Sequence, residues 1–148
     1  MNALDRLKQD HDKVRELASR FETAQETDDN EKMRSLAEQI CAELEVHAAI
    51  EEAVFYPAVR ELDDDKLTEL VAESIEEHHV VKTLVKEIMS LAASSDEKLA
   101  AKTTVLIENA EHHASEEEDE MFPLVRQKMS EETLVELGRE LESAKSNA

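Results

Sequence analysis

An all-α fold, an up-and-down antiparallel four-helix bundle with a short C-terminal fifth helix, is predicted by three features of the sequence. The 148 residues include one Gly and two Pro, too few for the turns of a sheet protein. Ala, Leu, Glu, Lys and Arg dominate, and the aromatic residues are one Tyr and three Phe. Apolar residues recur at three- and four-residue steps along four long segments, the period of an amphipathic helix. A chain of this length can bury about 68–70% of the surface it exposes when unfolded.

The first helix, about 3–26, carries Leu4, Leu7, Val14, Ala18 and Phe21 on one stripe. The second, about 30–61, uses Met33, Leu36, Ile40, Leu44, Val54 and Ala58. The third, about 65–93, uses Leu67, Val71, Val81, Val85 and Ile88. The fourth, about 96–128, uses Leu99, Leu106, Ala110, Met121 and Leu124. Between them TDDN (27–30), LDDD (62–65) and SSDE (94–97) offer Asp, Asn or Ser as N-caps. Breaks this short make neighbouring helices antiparallel. A shorter helix, about 130–145, presents Leu134, Leu137 and Leu141 to the bundle. No linker or low-complexity tract divides residues 1–148, so a single domain is expected.

The formal charge of −20 argues against a nucleic-acid partner and against an anionic membrane surface, and it draws cations inward. Most Asp and Glu are expected on solvated helix faces. Cys41 has no partner for an internal disulfide and reads as a small buried or half-buried hydrophobe. No apolar run approaches membrane-spanning length and no signal-peptide core precedes Asp5 and Arg6, which leads to the expectation of a cytoplasmic protein.

Each core stripe is interrupted by residues of the wrong polarity. His11 lies between Leu7 and Val14, His47 after Leu44, His78 between Val71 and Val81, and His113 after Ala110. Glu51 and Glu117 follow His47 and His113 by one turn. These last two pairs belong to a repeat, HAAIEEAVFYP at 47–57 and HASEEEDEMFP at 113–123. Each copy has Glu four residues after His, an apolar residue at eight and Pro at ten. The alternative register, His112 with Glu116, breaks continuity with Leu106 and Ala110, so His79 and His112 are read as surface residues. Tyr56 falls about half a turn from His47 unless Pro57 distorts the helix.

Height along the bundle tests the set. The midpoint of positions 11 and 47 is 29, that of 47 and 78 is 62.5, and that of 78 and 113 is 95.5. All three fall inside the three breaks, so the histidines share one layer. Each Glu then sits about 6 Å along the axis from its His. No Lys or Arg on the stripes neutralises the carboxylates, which leaves a bound cation as the natural partner. Six candidate ligands exceed a four-coordinate structural Zn site, and imidazoles exclude a Ca or Mg cage. Imidazoles and carboxylates inside a four-helix bundle point to a di-iron or di-manganese site, and iron is favoured.

The segments LKQDHDKV, HAAIEEAVFYP, EHHVV and HASEEEDEMFP make the sequence resemble the hemerythrin-like family, the HHE cation-binding domain of bacterial type, over most of its length. The resemblance implies a non-haem centre of two Fe ions, oxo- or hydroxo-bridged, with Mn or Zn as substitutes. It places His11 and His47 on one iron and His78 and His113 on the other, with Glu51 and Glu117 bridging. Oxygen-carrying hemerythrins have a further His one turn before the position of His78, where this chain has Ser74, and Lys82 stands one turn after. The second iron is thus expected to lack one nitrogen and to leave that place to water, hydroxide or peroxide.

The expected function is a catalase-like reaction of the di-iron centre with hydrogen peroxide, with no catalytic residue assigned beyond the metal centre. Reversible O2 or NO binding for storage or sensing is the alternative, and an iron-sensing or metal-stabilised structural module is a further one. The expected partners are small molecules, O2, H2O2 or NO, for a monomer or weak homodimer.

Overall fold

The computed structural model describes residues 1–91 and 96–148, and the described residues contain helices and no strand. Helix α1 (Ala3–Glu26) is followed by α2 (Asn30–Ile50), which passes through a π-helical turn (Glu51–Phe55) into α3 (Tyr56–Arg60). Helix α4 (Asp65–Met89) leads to α5 (Asp96–Glu116), which passes through a second π-turn (Glu117–Met121) into α6 (Phe122–Lys128). The final helix is α7 (Glu131–Ser146). The second and fourth long segments are therefore each one rod with a local change of helical winding. The third helix ends at Met89, short of the expected 93, and part of the SSDE break lies outside the described residues.

Two of the breaks use the same device. Asp28 and Asp63 each adopt φ 53°, a left-handed conformation that Asp tolerates, and the next residue caps the following helix. Asp29 accepts from the Lys32 N–H at 3.1 Å, and Asp64 from the Leu67 N–H at 2.9 Å. Asn2 caps α1 through the Asp5 N–H, and Ser130 caps α7 through the Thr133 N–H.

The apolar residues separate into two clusters. One gathers Leu4, Leu7, Phe55, Leu67, Phe122 and Leu137 at the end where α3, α6 and α7 meet. The other gathers Val14, Phe21, Ile40, Val85 and Leu106 toward the opposite end. The polar layer lies between them. Helix α7 closes the first cluster at a point where only glycine fits, because a Cβ on Gly138 would fall on the Met1 carbonyl oxygen. Cys41 is 1% exposed, as expected, and burial followed by the charges of Glu45 and Glu38 pushes its thiol up to about 12.

Candidate metal centre

The six residues selected from the sequence meet in one place. His11, His47, Glu51, His78, His113 and Glu117 are all buried, the two glutamates completely. Donor atoms of His11, His47, Glu51 and Glu117 lie within 4.8 Å of one another, and those of Glu51, His78 and His113 form a second such group. Glu51 belongs to both. Its Oε1 is 3.1 Å from His47 Nε2 and 3.1 Å from His78 Nε2. Glu117 also spans the layer, with Oε1 3.0 Å from His11 Nε2 and Oε2 3.4 Å from His113 Nε2. His79 and His112 are exposed, as expected. His112 pairs with Glu116 outside while His113 and Glu117 face inward, so both registers exist on adjacent faces of the rod, about 100° apart.

Behind every imidazole stands a carboxylate. His11 Nδ1 is 2.7 Å from Glu118, His47 Nδ1 3.0 Å from Asp10, His78 Nδ1 2.7 Å from Glu52, and His113 Nδ1 2.7 Å from Glu77. An Nδ1–H donated to a carboxylate fixes the tautomer and turns the Nε2 lone pair inward, the arrangement that metal-ligating histidines use. Burial alone would raise the Asp10 carboxyl, but the bond and charge of His47, aided by Lys145, hold it at about 2. Burial alone would lower His47, but the charge of Glu51 and the bond to Asp10 push it up to about 10. One expectation needs amending: Arg6 is buried and meets Asp10 at 3.0 Å. It serves this outer carboxylate and leaves Glu51 and Glu117 to other partners.

The π-turns explain Tyr56. Pro57 and Pro123 each follow a residue whose N–H reaches back five positions, Tyr56 to the Glu51 carbonyl and Phe122 to the Glu117 carbonyl. The extra residue rotates the downstream part of each rod by about 100° relative to an unbroken α-helix. Tyr56, half a turn away by α-helical spacing, is thereby carried into the layer. Its hydroxyl donates to Glu117 Oε2 at 2.8 Å and stands 3.2 Å from Glu51 Oε1, 3.3 Å from His78 Nε2 and 3.2 Å from His113 Nε2. Burial, then the charges of Glu117 and Glu51, keep it protonated by raising its pKa well above the ordinary value. The family resemblance leaves the second iron one nitrogen short at Ser74, with that place, in the group of His78 and His113, expected to hold water, hydroxide or peroxide. Ser74 is buried, and the Tyr56 hydroxyl comes to that group instead.

The donor set fits a metal. His47 Nε2 and Glu51 Oε2 are buried without a hydrogen-bond partner, although His47 Nε2 is close to Glu51 Oε1. Inward-facing lone pairs and two carboxylates with no Lys or Arg among them are stable together around cations. On the side of the histidine layer away from Glu51 and Glu117 lies a mostly apolar cavity of about 250 Å³.

A buried layer of four histidines and two glutamates in a helical bundle fits a metal-binding site. Residues 2–125 match the hemerythrin HHE cation-binding domain, and the chain belongs to that family. It is also 30% identical, over 99% of its length, to a protein of Nostoc sp. (strain PCC 7120) named as a DNA nickase. The chain spans 40% of that relative's length. No solved structure gave a significant match. No helix among the described residues is long and apolar enough to cross a membrane.

Proposed function

We propose that His11, His47, Glu51, His78, His113 and Glu117 hold two iron ions and that the centre decomposes hydrogen peroxide to water and oxygen. In this reading residues 1–148 work as one unit, since α7, beyond the family match, supplies Lys145 to Asp10 at 3.1 Å. The observation that carries the reading is the Tyr56 hydroxyl, a buried proton donor beside His78 and His113 that is bonded to Glu117.

Two irons held by these six residues would supply two-electron redox chemistry at the O–O bond. The protein supplies the rest. The four imidazoles are oriented by Glu118, Asp10, Glu52 and Glu77, so the ligand geometry exists before the metal arrives. Breaking an O–O bond requires protons on the departing oxygens, and the Tyr56–Glu117 bond holds one beside the site. Phe122, stacked at 6.1 Å over His11, and Phe55 bury the glutamate side of the site together with Tyr56.

Metal analysis and an ultraviolet–visible spectrum before and after peroxide test the proposal. Two irons per chain and one O2 released for every two H2O2 consumed are expected. Loaded iron without O2 release would transfer the site to the second reading, reversible O2 or NO binding, which the apolar cavity beside the histidines favours. The relative's name adds strand cleavage as a competing activity. A charge of −20 gives this chain little means of holding phosphates, so supercoiled plasmid is expected to stay intact with the iron-loaded protein.

A further inference from the structure

We infer that the apolar cavity seats the hydrocarbon part of a small organic hydroperoxide, making that class, rather than H2O2, the preferred oxidant of the centre. The inference rests on the peroxide reading above and specifies its substrate. The cavity is floored by the histidine layer, whereas Glu51, Glu117 and Tyr56 are absent from its lining. It therefore meets the site from the side opposite the proton store. Its walls include Val14, Ala18, Leu44, Val81 and Ala110. Ala18 and Ala110 occupy core-stripe positions with side chains too small to fill them, so the chamber is written into the sequence.

Size and polarity decide the occupant. An apolar cavity of about 150 Å³ accommodates benzene, and a water-sized guest needs about one probe sphere. At about 250 Å³ this chamber exceeds what a diatomic gas or H2O2 requires and matches an aryl or branched alkyl group. H2O2 entering past such walls loses hydrogen bonds to water that the walls do not replace. A hydroperoxide ROOH instead buries R against the walls and delivers its O–O bond to the histidine layer. At the rim Arg15 is tied to Glu111 at 2.8 Å and to Glu118 at 2.9 Å, leaving a polar mouth over an apolar interior.

The step balances as ROOH + 2 e⁻ + 2 H⁺ giving ROH + H2O. The O–O bond breaks, the two electrons come from two ferrous ions that become ferric, and the protons end on the alcohol and the water. Solvent at the polar mouth of the cavity, where Arg15 and Glu111 stand, supplies both protons.

Two measurements test this, one without turnover. Cumyl alcohol titrated into the zinc-loaded protein should shift the methyl resonances of Val14, Leu44, Val81 and Ile107, which line the cavity, and Ala18→Phe should abolish those shifts. In anaerobic single-turnover mixing, cumene hydroperoxide should oxidise the ferrous protein at least tenfold faster than H2O2. Ala18→Phe, or Ala110→Leu as a milder filling, should lower that ratio at least tenfold. No methyl shifts, or H2O2 reacting as fast as cumene hydroperoxide, overturns the inference while leaving the peroxide reading intact. Iron that loads and resists both peroxides overturns both.

Discussion

The half-site built by α1 and α2 can be laid over the one built by α4 and α5. His11 corresponds to His78, His47 to His113, and Glu51 to Glu117. The correspondence extends outward: Asp10 and Glu77 precede their histidines and each orients the histidine of the next helix. Glu118 and Glu52 follow Glu117 and Glu51 and orient His11 and His78. Even the cations that hold these two agree, since Arg15 reaches Glu118 at 2.9 Å and Lys82 reaches Glu52 at 2.9 Å. Arg6 and Lys145 also hold Asp10, whereas Glu77 has His112 at 3.7 Å, and the halves part company at two further points. Tyr56 corresponds to Phe122, and Ser74 corresponds to Leu7, one turn before His78 and His11. The metal-holding apparatus is therefore duplicated, while the hydroxyls are confined to one side. Under the proposed function, affinity for metal would be shared by the halves and reactivity would belong to one of them.

The strongest way to break the comparison is to remove a residue shared by both halves. Glu51→Ala is expected to lose most of the metal from both positions, and chelation of the wild type to lower Tm by roughly 10 °C, as a ligand bound at hundreds of times its Kd implies for this chain length. Metal analysis and calorimetry read both; unchanged unfolding after chelation would count against the whole site. A weaker perturbation tests the symmetry itself. Asp10→Asn and Glu77→Gln each remove one orienting charge and should each weaken metal binding by roughly 10–100-fold. Competition titrations giving a loss for only one of them would show that the halves are unequal in affinity. Tyr56→Phe makes the halves alike at their main difference. It should keep both metals, slow peroxide reaction about tenfold and change stability by about 1–2 kcal/mol. The smallest effect belongs to Glu116→Ala, whose side chain pairs with exposed His112. It should retain full metal content, and a loss equal to that of Glu117→Ala would show that the outer pair shares the metal.

Much of this was legible from spacing. The four histidines announced themselves because they interrupt apolar stripes and fall at equal heights, and the two glutamates because each follows its His by one turn. The orienting shell was not singled out. Asp10, Glu52, Glu77 and Glu118 are the same residue types as the solvated surface, and with 37 acidic residues in the chain their chemistry carries no contrast. Their signal is adjacency, since each stands one position before or after a residue already selected. Tyr56 was hidden for another reason. Helical phase is counted at 100° per residue, and the count fails across a π-turn. Pro57, which supplies no amide, was the only mark of that failure in the sequence, and Pro123 repeats it.

The two π-turns make this centre a matter of counting as well as of chemistry. Deleting any one residue between Glu51 and Phe55 leaves every proposed ligand in the chain, yet it would let the rod wind as an unbroken α-helix and swing Tyr56 away from the layer. The segments before proline are thus places where substitutions are tolerable in kind but length is not. A related chain carrying the same histidines with one residue fewer ahead of its proline would keep the means of binding metal and lose the hydroxyl beside it.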